Sequence, residues 1–206
     1  MERFLYEKLD VSREIGATKE ITNFLKQGLS KRIELREYQK EAFENFITYF
    51  ENEKLNKNKQ IHTLFHMATG SGKTVIMAGL ILYLYEKVYR NFLFFVNHTN
   101  ILAKTKDNFI NILSSKYLFD EDLNYFGEKV KINAVDNFQR NVFENNNINI
   151  CFTTIQKLHD LFKNKEKENE MTKNDFESNK VVFISDESHH INTFTKKKTK
   201  EEKEIQ

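Results

Sequence analysis

At 206 residues, 39% of them hydrophobic and 30% charged, the chain has room for one substantial domain but not for two large ones. A formal net charge of +2 neither demands nor excludes nucleic acid, because any binding face would rest on local clustering. One cysteine, Cys151, rules out a disulfide framework within the chain; charges break up the apolar residues of the N-terminal run Met1–Lys8 too early for a signal peptide; and no apolar run approaches the ~20 residues that span a bilayer. A cytoplasmic protein with no membrane partner is the default expectation.

Residues 1–34 read as a helical lead-in of short pieces, broken near Gly16 and Gly28. Over residues 35–50 the apolar positions Leu35, Tyr38, Ala42, Phe43, Phe46, Ile47 and Phe50 recur at spacings of three and four, which predicts an amphipathic helix. Residues 51–60 are polar and rich in Asn and Lys, a surface connection. Residues 61–68 read as a strand, followed by a glycine-containing turn and a long apolar helix from Lys73 to about Tyr89. The near-continuous apolar run at 91–97 predicts a strand covered on both faces.

A helix is expected over 99–113, short strands over 130–135 and 148–153, and a helix over 154–162. Cys151 falls within one of those strands and reads as a buried core thiol. Residues from about 163 to 179 are charged and almost coreless, a mobile insertion. A last buried strand covers 181–185, and residues 193–206 form a polar, frayed or truncated tail. Apolar strands alternating with helices predict an α/β fold over residues 35–192, with a mostly parallel sheet and helices on both faces, preceded by short helices.

Two features carry chemistry. Binding a triphosphate needs backbone N–H groups converging on anionic oxygens, a helix N-terminus behind them, a lysine, and a hydroxyl for a metal. Thr69, Gly70, Ser71, Gly72, Lys73 and Thr74 supply these parts: the glycines allow close backbone approach, Lys73 reaches the phosphates, and Thr74 offers its hydroxyl to Mg²⁺. The pattern G-x-x-x-x-G-K-[ST] would place its first glycine at Met67, so the literal motif fails there, and a glycine-rich turn with an ordinary exposed lysine is the plainer alternative.

The second feature is the apolar strand that ends in Asp186-Glu187, followed by Ser188, His189 and His190. In a P-loop ATPase the first carboxylate helps to hold Mg²⁺ and the second polarises the attacking water. A solvated turn is the commoner fate of such a pair. A zinc reading of Asp186, His189 and His190 lacks the supporting ligand spacing.

In this order the residues resemble superfamily 2 helicases of the DEAD/DEAH-box group, and most of all the Res subunits of type III restriction-modification systems. Leu35-Arg36-Glu37-Tyr38-Gln39 is similar to the group's adenine-reading Gln motif, residues 67–74 to motif I, and residues 94–102 to motif Ia. Phe152-Thr153-Thr154-Ile155-Gln156 is similar to the T-x-Q-type block, and residues 186–189 to the DExH box, with Ser188 where alanine is usual. The resemblance implies a RecA-like P-loop domain that binds ATP and Mg²⁺. It assigns Gln39 to the adenine edge with Arg36 and Tyr38 shaping its pocket, Lys73 and Thr74 to phosphate and metal, Asp186 to the metal, and Glu187 to the attacking water. Thr99, Thr154 and Gln156 would lie near a nucleic-acid face.

For Thr99 and Thr154 helix N-capping stays open beside the phosphate-contact reading, and for Gln39 an exposed helix position stays open. The implied partners are double-stranded DNA, tracked along its backbone, and a modification methyltransferase subunit. Such helicases pair two RecA-like domains; this reading expects a truncated first half, weakly active alone and without a nuclease part. A non-hydrolysing nucleotide- or nucleic-acid-binding remnant is the alternative, while the ordered outer blocks argue against a P-loop kinase.

Overall fold

A computed structural model describes residues 4–136, 138, 146–163 and 180–186. The chain divides into two units, Met1–Tyr83 with Leu118–Glu121 and Leu84–Tyr117 with Asp122–Gln206. Most of the insertion expected from about 163 to 179, the residues from Glu187 to His190, and the tail 193–206 lie outside the described residues.

The first unit is helical. The lead-in forms α1 (Leu5–Glu14) and α2 (Asn23–Gly28), the latter capped by Thr22, whose hydroxyl accepts from the Leu25 N–H. The periodic run forms α3 (Glu37–Glu51), and the polar connection contains one turn of helix, α4 (Glu53–Asn56). Residues 118–121 join this unit through backbone bonds from Ser30 N to Leu118 O and from Asp120 N to Gly28 O.

Helix α5 (Lys73–Glu86) begins in the first unit and lies beside α3, running in the same direction. Three successive contacts show this. Gln39 meets Ser71 just before α5, Phe43 lies against Gly79, and Phe46 and Phe50 both pack edge-on against Tyr83 at 6.0 and 5.6 Å. The Phe43 ring fills the space a Cβ at position 79 would need, so glycine is what lets the helices approach so closely.

The second unit holds a four-stranded sheet of β1 (Asn91–Val96), β4 (Ile132–Val135), β5 (Ile148–Thr154) and β6 (Val181–Ser185), in the order β4-β5-β1-β6, every neighbouring pair parallel. Between β1 and β4 come α6 (Thr99–Ile110) and a small hairpin of β2 (Asn124–Tyr125) and β3 (Glu128–Lys129); α7 (Ile155–Lys163) follows β5. Parallel strands buried on both faces read as unbroken apolar runs. Phe94 and Phe152 turn to one face, against Phe109 of α6, at ring separations of 5.5 and 6.1 Å. Leu93 and Cys151 turn to the other, against Phe138 and Leu158 of α7. The expected α/β fold with helices on both faces of a parallel sheet is therefore present, and no helix among the described residues is long and apolar enough to cross a membrane.

Two local expectations are corrected. Residues 61–68 form no strand. Their β-favouring side chains have no ladder partner among the described residues, Leu64 is 77% exposed, and only Ile61, Phe65 and Met67 turn partly inward, Phe65 onto Phe46. The β2–β3 hairpin arises where no strand was read. Its turn puts Phe126 and Gly127 at positive φ, with the Asn124 side chain accepting from the Gly127 N–H.

Phe109 is fully buried, so Phe109→Ala should cost about 3–5 kcal/mol, read as a lowered urea midpoint at constant slope. Cys151 is buried as expected, and loss of hydration, with a smaller contribution from Asp136, pushes its thiol from 9.0 up to about 11. Because the folded value is raised, this group's contribution to stability is complete below about pH 9 and is lost as pH rises through about 11. Between pH 8 and pH 10.5 the urea midpoint should therefore fall more for the wild type than for Cys151→Ala.

Candidate functional site

The candidate phosphate loop is built where α5 starts. Gly70 and Gly72 take φ values of +77° and +87°, a left-handed conformation that side chains rarely adopt. The Gly72 carbonyl accepts from Val75 N and Ile76 N at 2.9 and 3.2 Å and so opens the helix. Helix geometry leaves the N–H groups of Lys73 and Thr74 without intrahelical partners at the N-terminus of a 14-residue helix, the positive end of its dipole. Met67 is not among the residues at positive φ, so a side chain is tolerated where the general motif has glycine. Its carbonyl and that of Ala68 each accept from Lys73 Nζ at 3.3 Å, which lays the ammonium across the start of the loop. Thr74 is half-buried and Thr69 exposed.

The first turn of α3 holds this loop from the side. Gln39 is only 4% exposed, which overturns the exposed-helix alternative. Its Oε1 accepts from Arg36 N at 3.0 Å and its Nε2 donates to Ser71 O at 3.0 Å. The Tyr38 hydroxyl donates to the same Ser71 carbonyl at 2.7 Å and accepts from the Arg36 guanidinium at 2.9 Å. The Gln39 amide also occupies the space a Cβ at Gly72 would fill, so a side chain at 72, already disfavoured by the positive φ, would have to push that amide aside. Arg36, Gln39 and Ser71 to Thr74 are thus brought together. That Tyr38 reaches a loop carbonyl was not foreseen; its place beside Gln39 at a helix start was the only sequence signal.

The remaining residues belong to the second unit, at the C-terminal ends of its strands, where open α/β sheets bind ligands. Thr154 ends β5 opposite Val96, and Asp186 follows β6, its N–H donating to Phe95 O at 3.3 Å. Thr154 is buried and its hydroxyl accepts from Lys157 N at 3.3 Å, so it caps α7. Thr99 is not a cap: it is the first residue of α6, His98 stands at the capping position, and Thr99 is exposed, as is Gln156. Glu187 lies outside the described residues, and among those described no cluster of His, Cys, Asp and Glu could hold a metal.

The loop fits a polyphosphate: it offers N–H groups at a helix N-terminus, a backbone that glycine keeps open, and a lysine whose hydrogen bonds among the described residues are to carbonyls.

Comparison with known proteins agrees with this geometry. The family described as type III restriction enzyme, res subunit, matches residues 32–205. The probable type III restriction-modification enzyme HindVIP Res subunit of Haemophilus influenzae is 42% identical over 175 residues, covering 82% of this chain and 33% of that protein. The chain therefore spans about a third of the length of the curated relative it matches. No solved structure matches it. With a family match over most of its length and a relative 42% identical over 175 residues, the chain belongs to the type III restriction enzyme Res-subunit family.

Proposed function

We propose that the chain is the ATP-binding first RecA-like half of an ATP-dependent DNA translocase of restriction type. The observation that carries this is the phosphate loop at the start of α5, with Lys73 across its mouth and Gln39 locked against it. Gly70, Ser71, Gly72, Lys73 and Thr74 receive the triphosphate through backbone N–H groups and the Lys73 ammonium, with Thr69 at the rim of the loop. Gln39 keeps one N–H and acceptor capacity beyond its bonds to Arg36 and Ser71, the pair that a bidentate contact to an adenine edge uses. Arg36 and Tyr38 border that position.

The Thr74 hydroxyl and the Asp186 carboxylate are hard oxygen donors of the kind Mg²⁺ takes, and Glu187 is the group assigned to orient the attacking water. When bound, Mg²⁺ neutralises charge on the phosphate oxygens. Thr99, Thr154 and Gln156, at the ends of β1 and β5, are assigned to the DNA backbone; for Thr154 this leaves the hydroxyl proton, because its lone pair caps α7. Double-stranded DNA and a modification methyltransferase subunit are the proposed partners, and the cytoplasm the proposed compartment. An arginine is worth 10³–10⁵ in phosphoryl transfer, and in this motor class it comes from a second domain, so slow turnover is proposed for this chain alone.

Calorimetry should give saturable Mg-ATP binding for the wild type. Lys73→Ala and Gly72→Ala should each weaken it at least about tenfold, the second because a Cβ at 72 meets the Gln39 amide. Binding unchanged in both would sink the assignment. Turnover lost in Glu187→Gln with binding retained would identify the carboxylate that serves the water. Rapid DNA-stimulated multiple turnover by this chain alone would contradict the proposed need for a further domain.

A further inference from the structure

We propose that Tyr38 is a positioning residue of the phosphate loop, acting on the triphosphate through the Ser71–Gly72 peptide rather than on the base. This rests on the reading of residues 67–74 as a triphosphate site. The Ser71 carbonyl has two lone pairs, and both are taken from one side, by the Tyr38 hydroxyl at 2.7 Å and by Gln39 Nε2 at 3.0 Å. In a trans peptide the C=O and the following N–H point in opposite directions. Holding Ser71 O against α3 therefore aims the Gly72 N–H away from α3. Gly72, at φ +87°, has no side chain to interfere.

The direction of the phenol hydrogen is itself set. The hydroxyl oxygen accepts from the Arg36 guanidinium at 2.9 Å, which leaves its hydrogen to donate to Ser71. Packing does not fix this tyrosine, since it is 42% exposed. The two hydroxyl bonds account for its placement. Gln39 shares the carbonyl but is also committed to the Arg36 N–H through Oε1, so it couples the helix start to the loop. Tyr38 adds the second bond, without which the Ser71 peptide could pivot about a single hydrogen bond.

The test compares Mg-ATP, Mg-GTP and magnesium tripolyphosphate by calorimetry for the wild type, Tyr38→Phe, Arg36→Ala, Gln39→Ala and Lys73→Ala, with thermal unfolding measured without ligand. Loss of one hydrogen bond should lower affinity about 2- to 10-fold. Tyr38→Phe should lose that factor equally for all three ligands, keep the ATP-to-GTP ratio, and leave the unfolding temperature nearly unchanged. Arg36→Ala should weaken tripolyphosphate in the same direction by a smaller factor, and serves as the second variant should Tyr38→Phe fold poorly. Gln39→Ala should weaken tripolyphosphate and also reduce the ATP-to-GTP ratio.

Unchanged tripolyphosphate binding in both Tyr38→Phe and Arg36→Ala would overturn the proposal, as would a Tyr38→Phe effect confined to the ATP-to-GTP ratio, which would place Tyr38 at the base. Lys73→Ala separates the two levels. If it abolishes binding while Tyr38→Phe changes nothing, only the positioning role fails; if it changes nothing, the triphosphate site fails and the positioning role with it.

Discussion

Phe43 against Gly79 sets how closely α3 approaches α5, and the geometry of the phosphate loop depends on that distance. Burying a phenylalanine is worth about 1.5–3 kcal/mol, and Phe43 is fully buried. The hydrogen bonds at the far end of the contact are each worth about 1 kcal/mol net. The two contributions are therefore of similar size, the apolar packing setting the distance and the polar contacts the direction. Because the helices run side by side in one sense, the first turn of α3 arrives at the first turn of α5, where Gln39 and Tyr38 meet Ser71. Phe46, Phe50 and Tyr83 complete the seam, and the Tyr83 hydroxyl closes it by donating to Glu51 at 3.0 Å.

In the second unit a different constraint does the positioning. One rung of the parallel sheet carries asparagine on three adjacent strands: Asn133 donates to Asn149 at 3.3 Å, and Asn149 donates to Asn91 at 3.4 Å. Asn149 is completely buried, so a slip of register would strand its amide at a cost of about 1–3 kcal/mol. Apolar strands alone discriminate poorly between registers, because valine, leucine and phenylalanine are satisfied by any apolar neighbour. The ladder lies at the strands' starts, yet it fixes the ends of β1 and β5: once Asn91 faces Asn149, Val96 must face Thr154. The site of Thr154 follows from that pairing, while Asp186 is placed by the separate pairing of β1 with β6.

What was legible in the sequence follows from what each signal measures. Spacings of three and four report a helix buried along one stripe, and Phe43, Phe46 and Ile47 are buried as the pattern requires. Unbroken apolar runs report strands covered on both faces, so β1 and β5 fell within a residue of their expected bounds; β6 has its expected bounds but not the expected burial, being half-buried at the end of the described sheet with Phe183 47% exposed. Residues 61–68 have the composition of a strand, but composition cannot supply a neighbouring edge, and here they have none among the described residues. The β2–β3 hairpin is two residues per strand, too short for any period to show. The Tyr38 hydroxyl was illegible for another reason. As part of the apolar stripe it counts only as a ring, and where its oxygen points depends on Ser71, 33 residues further on.

The mismatch at Met67 becomes intelligible through the loop's carbonyls. Met67 O and Ala68 O accept from Lys73, Ala68 O also from Ser71 N and Oγ, Ser71 O from Tyr38 and Gln39, and Gly72 O from α5. Each bound carbonyl fixes the opposite direction of the next N–H in the chain, so donors gathered on the oxygens orient the N–H groups that an anion would meet. Glycine is required only where this demands positive φ or leaves no room for a Cβ, which singles out Gly70 and Gly72. Position 67 is asked for its carbonyl alone, and any residue has one. A loop of the kind proposed here is thus better recognised by which of its peptides are held than by a count of its glycines.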